Sequence, residues 1–506
     1  MRPRPYQQTA IDSVAAAFHE ARRVLLCLPT GAGKTCVFSW LAKLRLPGRT
    51  LILAHREELI DQAIAKLRAT TGIEAEKEKA EHCASYSAPV VVASVQSMIR
   101  RLDVWPSKHF SLVVADEAHH SVSDSWQKVL QHFDADVLGV TASADRSDSR
   151  NLGSYYERVA YEIGIFDLIR DGYLAPITVK SVPLKIDLSA VSQTAGDFNE
   201  TDLGAALDPY LDEIAAAIRE HASFRRCLAF LPLIATSEKF VAACKNVGLT
   251  ACHISGVSSD RKEILQRFHE GEFDVLSNAM LLTEGYDEPQ VDCVIPLRPT
   301  RSRPLYSQMV GRGTRTHELK ENLLLLDFLW AHQRLPLCRP ANLIARNQEQ
   351  ADAITELTEA TPGGGEQDLR ALNSEAQEKR EAALRKKLED NSKKKLRLVD
   401  AMEFCVMAQQ GELIDYEPVM AWEAAPLTAG QMNVLRRNGI DEASVKGRGH
   451  ASKLIDLINQ RQTRGLCSPK QARLLARFGV KNPARLTLEV AGKLLDERIG
   501  RRKEIV

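Results

Sequence analysis

The sequence predicts an α/β protein with two tandem parallel-sheet domains and a small all-α module at its C-terminal end. Short apolar runs alternate with segments of helical spacing, which is typical of parallel strands covered by helices. This alternation occurs twice. The first series of runs covers residues 24–28, 51–54, 90–93, 112–115 and 137–140, and the second covers residues 227–231, 251–254, 275–278, 292–296 and 323–327.

Changes in composition along the chain predict four segments. The two α/β domains should occupy residues 1–165 and 166–340, and the second should include a connecting segment at 166–220. Residues 341–400 contain Pro-Gly-Gly-Gly and then a run rich in Glu, Lys, Arg and Ala, which indicates a charged, helix-prone linker. The remaining residues, 401–506, should form a basic helical module.

That module contains an internal repeat with an offset of 40 residues, in which Gln431, Leu435, Arg437 and Gly439 recur as Gln471, Leu475, Arg477 and Gly479. Thr428 and Ser468 stand at helix-cap spacing before the repeated segments, and a glycine closes each of them. We therefore expect two stacked helix-turn-helix units that bury one small shared core.

Positive charge is concentrated in the same module. Residues 426–506 hold 17 Lys or Arg and 7 Asp or Glu, a net charge of +10, whereas residues 1–425 carry −9. Such a basic surface suits nucleic-acid phosphates, and the candidate contacts are Arg436, Arg437, Arg473 and Arg477. A docking surface for a protein partner, formed by residues 401–506, is the alternative.

Composition excludes several classes. The 506 residues are 44% hydrophobic and 26% charged, as in ordinary globular proteins. No apolar stretch approaches about 18 residues and the N-terminus has no apolar signal core, so we expect a cytoplasmic protein without a membrane partner. The ten cysteines form no C-x-x-C pair, which argues against a disulfide framework or a zinc site.

A glycine-rich loop, Leu-Pro-Thr-Gly-Ala-Gly-Lys-Thr, follows the first apolar run. Its backbone N–H groups can turn toward one centre, Lys34 can reach the outer phosphates of a nucleotide, and Thr35 can offer a hydroxyl to Mg²⁺. The general motif has glycine where this chain has Leu28. A ligand-free glycine turn is the alternative from the loop alone. The candidate nucleotide-binding residues here are Thr30, Gly31, Ala32, Gly33, Lys34 and Thr35.

An acidic pair follows the apolar run at 112–115, in the tetrapeptide Asp-Glu-Ala-His. At the tip of a strand beside the phosphate loop, Asp116 would hold Mg²⁺ and Glu117 would deprotonate the attacking water. Taken alone, the tetrapeptide could also be a helix start with acidic residues near the dipole.

These motifs resemble the superfamily-2 helicases and translocases, specifically the DEAH-signature members that include restriction-enzyme motor subunits and excision-repair helicases. The resemblance covers residues 1–335 and implies two RecA-like domains. In the first, it implies adenine recognition by Arg4 and Gln7, nucleic-acid contacts from Arg56, Ser94 and Gln96, and coupling between the two sites through His119, Thr141 and Ser143.

In the second domain, residues 282–289 are similar to the helicase segment that touches both ATP and the strand. The resemblance implies a nucleic-acid contact from Thr283 and nucleotide contacts from Gly285 and Asp287. Residues 308–315 are similar to the arginine-finger segment, which implies catalytic roles for Gln308, Arg312 and Arg315. On a single helix face, the two arginines could otherwise be ordinary surface cations.

The resulting hypothesis is a motor that uses ATP and Mg²⁺ to move along nucleic acid, in the first place a DNA helicase. The blend of Arg-Pro-Tyr-Gln, Asp-Glu-Ala-His and Gly-Tyr-Asp-Glu-Pro favours DNA, single-stranded or duplex, as the partner. Three alternatives remain at this level: a duplex-DNA translocase that does not separate strands, an RNA helicase, and a nucleotide-gated clamp.

Overall fold

In the computed structural model, the chain folds into two compact units, residues 1–374 and residues 375–506. The structure describes residues 2–503 apart from positions 56, 143–151, 189–190, 195–196, 257, 259, 280–281, 283–285, 287, 332–336, 346–347, 360–365, 380–400, 409, 415 and 481.

The first domain of the larger unit is built on a parallel sheet. In the described residues its seven strands lie in the order β3-β4-β2-β5-β6-β1-β7, and every pair is parallel. The strands are β1 (Arg23–Cys27), β2 (Thr50–Ala54), β3 (Ala75–Glu78), β4 (Val90–Ser94), β5 (Leu112–Asp116), β6 (Asp136–Thr141) and β7 (Arg158–Glu162). The helices are α1 (Pro5–Ala17), α2 (Lys34–Leu44), α3 (Glu57–Thr71), α4 (Val95–Ile99) and α5 (Asp124–His132), with a 3₁₀ turn at Ala118–Val122.

The second domain has a sheet of the same kind. Its described strands lie in the order β12-β13-β11-β14-β15-β8-β16, and only β16 runs antiparallel to its neighbour. They are β8 (Ile177–Asp187), β11 (Cys227–Leu231), β12 (Ala251–Ile254), β13 (Val275–Ala279), β14 (Cys293–Pro296), β15 (Leu323–Ala331) and β16 (Gln367–Asp368), while β9 (Gln193–Thr194) and β10 (Asp197–Phe198) pair separately. The helices are α6 (Ile165–Arg170), α7 (Glu200–Leu207), α8 (Leu211–Ala222), α9 (Ile234–Asn246), α10 (Arg261–Glu270), α11 (Arg303–Gly311) and α12 (Gln348–Glu359), with 3₁₀ turns at Asp208–Tyr210 and Pro340–Leu343.

The predicted fold class is confirmed, and each of the ten apolar runs forms a strand. Sequence reasoning missed strands that lack a continuous apolar run. The clearest case is β8, which pairs along β15 inside the segment predicted to be a connection. Its sequence, Ile-Thr-Val-Lys-Ser-Val-Pro-Leu-Lys-Ile-Asp, mixes charges and a proline with its apolar residues.

The larger unit also ends later than the predicted domain boundary at 340. Residues 341–400 were predicted to be a charged linker, yet α12 lies in this range and β16 adds an antiparallel strand to β8. Hydrogen bonding to an existing sheet edge therefore keeps part of the segment within the first unit, whose boundary is at Ser374.

The order of the first sheet brings three polar strand ends together. Strand β6 lies between β1 and β5, and all three are parallel. Their carboxyl ends therefore meet at one edge, where the phosphate loop follows β1, Asp116 ends β5 and Thr141 ends β6. Ligand sites in parallel α/β sheets lie at such an edge.

The smaller unit contains α13 (Ala401–Met407), α14 (Gly411–Ile414), α15 (Ala421–Ala424), α16 (Ala429–Arg437), α17 (Arg448–Thr463), α18 (Pro469–Arg477) and α19 (Leu488–Lys503), with 3₁₀ turns at Glu442–Ser444 and Pro483–Arg485. The two predicted copies of the repeat begin alike: α16 and α18 start with equivalent capping boxes at Thr428 and Ser468. After each helix a glycine adopts positive φ, 78° at Gly439 and 76° at Gly479.

The expectation of one shared core was wrong. The described residues form two apolar clusters, one around Phe404, Leu435 and Leu454 and one around Leu475 and Leu495. The first copy packs against the preceding α13, which supplies Phe404 to its cluster, whereas Phe478 packs against the second cluster. Met407 packs against both clusters and connects them.

Within the described part of the chain, no helix is both long enough and apolar enough to cross a lipid bilayer.

Replacing Ser468 by Ala should destabilise α18, because the hydroxyl that accepts the Gln471 N–H is lost. Removing an N-cap typically costs about 1 kcal/mol, which corresponds to roughly fivefold faster local amide exchange. Hydrogen exchange of the full chain, measured over residues 469–477, tests this. Ser468→Asp keeps an acceptor and should retain the protection. Unchanged exchange in the Ala variant would contradict the role of the cap.

Candidate nucleotide-binding and catalytic site

The phosphate loop adopts the conformation that its glycines predict. Gly31 and Gly33 have φ of 87° and 77°, in the left-handed region that side chains disfavour. A Cβ on Gly33 would lie 2.6 Å from Gln7 Nε2, so space also requires glycine there. Leu28, where the general motif has glycine, is fully buried and donates its N–H to the Thr141 carbonyl over 3.0 Å. It extends the strand pairing of β1 with β6 instead of forming part of the turn.

A buried ion pair joins this loop to the end of β5. Lys34 Nζ donates to Glu117 Oε1 over 2.9 Å, and both side chains are 12% exposed. Burial alone would raise the pKa of Glu117, but the charges of Lys34 and His119 outweigh it and hold the pKa well below its usual range. Glu117 is therefore ionised and bound to the lysine expected to hold phosphate.

The backbone at the acidic pair is also unusual. Glu117 has φ of 53°, and its N–H donates to Asp116 Oδ1 over 3.1 Å. A side-chain-bearing residue in this region costs about 1–3 kcal/mol, and such strain is concentrated at functional sites. The turn aims the carboxylate back toward α2 while leaving Asp116 at the strand tip.

Buried polar atoms at this edge fit a nucleotide with its metal. Among the described residues, Thr30 Oγ1, Glu117 Oε2 and His119 Nδ1 are buried without a hydrogen-bond partner, although the last two lie 3.5 Å apart. Native proteins rarely leave such groups unsatisfied. Together with the glycine loop and Asp116, they provide the donors and acceptors that triphosphate and Mg²⁺ require.

Gln7 is held against the loop from the start of α1. Its Nε2 donates to the Ala32 carbonyl over 3.0 Å, and its Oε1 accepts from the Arg4 N–H over 2.9 Å. Tyr6 donates its hydroxyl to the same carbonyl over 2.7 Å. Both ends of the Gln7 amide thus have a protein partner, and the contact to adenine implied by the resemblance stays a prediction.

The arginine segment of the second domain packs directly on the phosphate loop. A Cβ added to Gly311 at the end of α11 would lie 2.4 Å from Thr30 Cβ, so the two backbones can approach only because this residue is glycine. Thr314 donates to the Gly311 carbonyl over 2.9 Å, and its own carbonyl accepts the Ala175 N–H over 2.7 Å. Residues nearly 300 positions apart in the chain therefore form one surface.

The two candidate arginines share an anchor. Nη1 of Arg312 donates to the Tyr286 carbonyl over 2.8 Å, and Nη1 of Arg315 lies 3.4 Å from the same oxygen. Arg312 is 9% exposed, and its charge contributes to lowering the pKa of Glu117. Gln308 is buried one helical turn before Arg312. The interpretation of these arginines as ordinary surface cations does not fit this burial.

Lys320 holds the same segment from behind. Its ammonium group donates to the Val291 carbonyl over 2.5 Å and to the Gly313 carbonyl. Burial lowers the pKa of Lys320 to about 7, with Asp292 opposing that shift and Arg315 adding to it. Lys320 thus connects Gly313, which lies between Arg312 and Thr314, to Val291, which lies just before β14.

Three further predicted site residues, Ser94, Gln96 and Thr141, lie in the described part of the first domain. Ser94 is buried, and its hydroxyl caps α4 by accepting the Ser97 N–H over 3.2 Å, whereas Gln96 is exposed. Thr141 is buried at the end of β6. The remaining candidates, which lie outside the described residues, are Arg56, Ser143, Thr283, Gly285 and Asp287.

The arginines predicted for the C-terminal module are not equivalent. Arg473 is 8% exposed and belongs to the interior. Arg436 pairs with Glu442, while Arg437 is exposed. Arg477 lies at the end of α18, and its side chain is outside the described residues.

Sequence reasoning missed several residues of the site. Tyr6 and Thr314 lie inside motifs that had been recognised, so their position was a usable signal. Tyr173 is remote from every motif, yet its ring lies 4.7 Å from that of Tyr6 and 5.5 Å from the Arg4 guanidinium. No pattern in the sequence marks Tyr173 or Lys320.

Comparison with known proteins agrees with this arrangement. Residues 1–146 match the family described as type III restriction enzyme, res subunit, and residues 209–317 match the helicase conserved C-terminal domain. The chain belongs to the superfamily-2 helicases. The prediction of that family from the motifs is confirmed.

Two yeast proteins illustrate the relationship to other superfamily-2 helicases. The putative ATP-dependent helicase IRC3 of Saccharomyces cerevisiae is 32% identical over 398 residues, covering 74% of this chain and 56% of that protein. The putative mitochondrial ATP-dependent helicase irc3 of Schizosaccharomyces pombe is 34% identical over 356 residues, covering 67% and 59%. The matched region thus spans a little over half the length of these relatives.

A solved structure shows the same fold. The ATP-dependent type ISP restriction-modification enzyme LlaBIII, bound to DNA, superposes with a TM-score of 0.54 at 16% sequence identity. The superposition covers 96% of this chain and 41% of that one. At this identity, the likeness concerns the fold alone.

Replacing Lys320 by Met should lower kcat for ATP hydrolysis by about tenfold, because the backbone that carries Arg312 loses its hydrogen bond at Gly313 and misplacement by about 1 Å is costly. The apparent KM for ATP should change little, since Lys320 does not contact the phosphate loop. Steady-state ATPase kinetics measure both. Lys262→Met, at an exposed position of the same domain, is the matched control. An equal kcat in both variants would contradict a positioning role.

Proposed function

We propose that the chain is an ATP-driven motor that moves along DNA, with the two domains of the larger unit forming one ATP site. The observation that carries this proposal is the contact of Gly311 and Thr314 with Thr30. It brings the arginine segment of one domain to the phosphate loop of the other. Motors of this architecture complete their catalytic site across such a junction.

In the first domain, Lys34 and the glycine loop would bind the phosphates, while Thr35 and Asp116 would hold Mg²⁺. When bound, the metal neutralises phosphate charge. Lys34 is paired with Glu117, so a phosphate must replace the carboxylate as the partner of the lysine. Glu117 is then released to orient and deprotonate water. The pair thus restrains the base until Lys34 has another anion.

In the second domain, Arg312 and Arg315 would stabilise charge on the outer phosphate. A positioned arginine is worth about 10³ to 10⁵ in rate. Both guanidinium groups are gathered at the Tyr286 carbonyl, close to the junction, so a small rearrangement can deliver them. ATP-dependent closure and opening of the junction would then move the DNA-binding surfaces of the two domains relative to each other.

DNA as the partner is supported by the match of residues 1–146 to a restriction-enzyme subunit and by the motif combination in the sequence. Strand separation and translocation on duplex DNA use the same core, so the proposal includes both. RNA is the second candidate for the nucleic-acid partner. A slowly hydrolysing clamp is disfavoured because Glu117 and both arginines are present at the junction.

A location in the cytoplasm stays a prediction; the name of the S. pombe relative describes that protein as mitochondrial.

Replacing Glu117 by Gln should abolish DNA-stimulated hydrolysis, with a loss of about 10² to 10⁴, because the base is removed. ATP binding should be retained or tightened, since Lys34 no longer pairs with a carboxylate. Single-turnover hydrolysis and equilibrium binding of a fluorescent ATP analogue separate these effects. Glu81→Gln, an exposed position in the same domain, is the control. Full turnover in Glu117→Gln would exclude the assigned base.

The polymer is identified by measuring the ATPase rate of the unaltered protein with single-stranded DNA, duplex DNA, forked DNA and RNA in parallel. The motor proposal expects at least one DNA to raise the rate severalfold. Greatest stimulation by RNA would favour the RNA helicase. Equal rates with and without every polymer would overturn the motor in favour of the clamp.

A further inference from the structure

A cavity of about 250 Å³ lies in the C-terminal unit, where the two copies of the repeat meet. Helix α17 of the first copy contributes Leu457 and Arg461, the residue after the helix is Arg464, and the second copy contributes Arg485. We call this cavity the arginine pocket. It belongs to the smaller unit, and none of the motifs explains it.

Arg461 is the buried member of the pocket. It is 7% exposed, and its Nη2 donates to the carbonyls of Cys467 and Ala484 over 3.2 and 2.6 Å. Its guanidinium carbon lies 5.9 Å from the centroid of the Phe404 ring. Within the described part of the chain, its Nε is buried and has no hydrogen-bond partner. A buried cation with an unsatisfied donor favours an anionic ligand.

The rest of the lining has the same electrostatic character. Arg464 and Arg485 are exposed at the cavity, and no carboxylate belongs to the described lining. Apolar surface comes from Met407, Leu457 and Leu466. Guanidinium groups bind phosphate through paired hydrogen bonds, and the apolar part suits the sugar that a phosphodiester carries.

This chemistry belongs to the junction and not to each repeat copy. With the offset of 40 residues, Leu457 and Arg464 of the first copy correspond to Glu497 and Glu504 of the second. Arg485 corresponds to Val445 in the other direction. Of the three arginines in the pocket, only Arg461 has a basic counterpart, Arg501, so neither copy by itself repeats the full cluster.

We propose that the arginine pocket binds a backbone phosphate of a nucleic-acid strand, and so provides a contact separate from the motor domains. The net charge of +10 over residues 426–506 would attract the strand, and the pocket would hold one phosphate of it. The proposal rests on the proposed function, because the DNA on which the motor acts supplies the phosphate. The contact reads no bases, so it should be independent of sequence.

The test uses the full chain with the double substitution Arg464→Gln and Arg485→Gln, which leaves the buried Arg461 in place. Binding of a fluorescent single-stranded 30-mer is measured by anisotropy across a salt series without nucleotide. Each lost phosphate contact reduces the salt slope by about 0.7 for a single strand, and the pocket holds one phosphate, so we expect a reduction of about 0.7 and about tenfold weaker binding at low salt. The charge-retaining variant Arg464→Lys and Arg485→Lys should recover most of the slope.

A matched control removes two charges elsewhere in the module, through Lys470→Gln and Lys493→Gln at exposed positions outside the pocket. An equal loss in the control would overturn the pocket in favour of a general basic surface. Unchanged DNA binding in the arginine variant would also overturn it, and would leave a protein partner as the occupant.

A further measurement separates this proposal from the motor proposal. At saturating DNA, the arginine variant should keep the DNA-stimulated ATPase rate, because the pocket is outside the ATP site. Intact stimulation with unchanged affinity rejects the pocket alone. Absence of stimulation in the unaltered protein rejects the motor.

To distinguish strand phosphate from the free ion, inorganic phosphate is added at constant ionic strength. Competition against DNA at micromolar phosphate would indicate a free-phosphate site and overturn the strand contact.

Discussion

The buried ion pair between Lys34 and Glu117 is the interaction on which the rest of the site depends. Each charge is only 12% exposed, and removing one partner of a buried pair typically costs about 3–5 kcal/mol because the other is left uncompensated. The pair therefore locks the phosphate loop to the tip of β5. In the proposed function, the pair also keeps Glu117 bound to Lys34 until a phosphate takes its place. A single contact would thus link nucleotide binding to the activation of water.

Close packing supports this pair from the second domain. Gly311 lies so near Thr30 that no side chain fits between them. Lys320 donates to the carbonyl of Gly313, two residues further along the same segment. These contacts consequently place the backbone that carries the arginines, and the Tyr286 carbonyl places their guanidinium groups. This arrangement explains how charge from a distant part of the sequence can lower the pKa of Glu117. Tight contacts of this kind convert small shifts at the nucleotide into movement of a whole domain.

The C-terminal unit shows that duplication of local structure does not duplicate chemistry. Capping boxes at Thr428 and Ser468 and positive-φ glycines after each helix are purely local signals, and they produce equivalent helices in both copies. Side chains outside those signals have diverged. The two copies consequently bury separate apolar clusters, and Arg461, Arg464 and Arg485 lie at the boundary between them.

Local sequence is enough to predict the two parallel sheets, the glycine loop, the acidic pair and the helical repeat, because each depends on residues close together in the chain. Apolar runs predict buried strands, and Thr428 predicts a helix start, without knowledge of anything distant. Only the folded structure shows that β8 joins the second sheet, that Gln7 donates a hydrogen bond to the Ala32 carbonyl, and that Lys34 is paired with Glu117. It also decided the role of Lys320 and the position of Arg461 between the repeats. These features depend on which surfaces meet after folding, and that juxtaposition has no periodic signature along the chain.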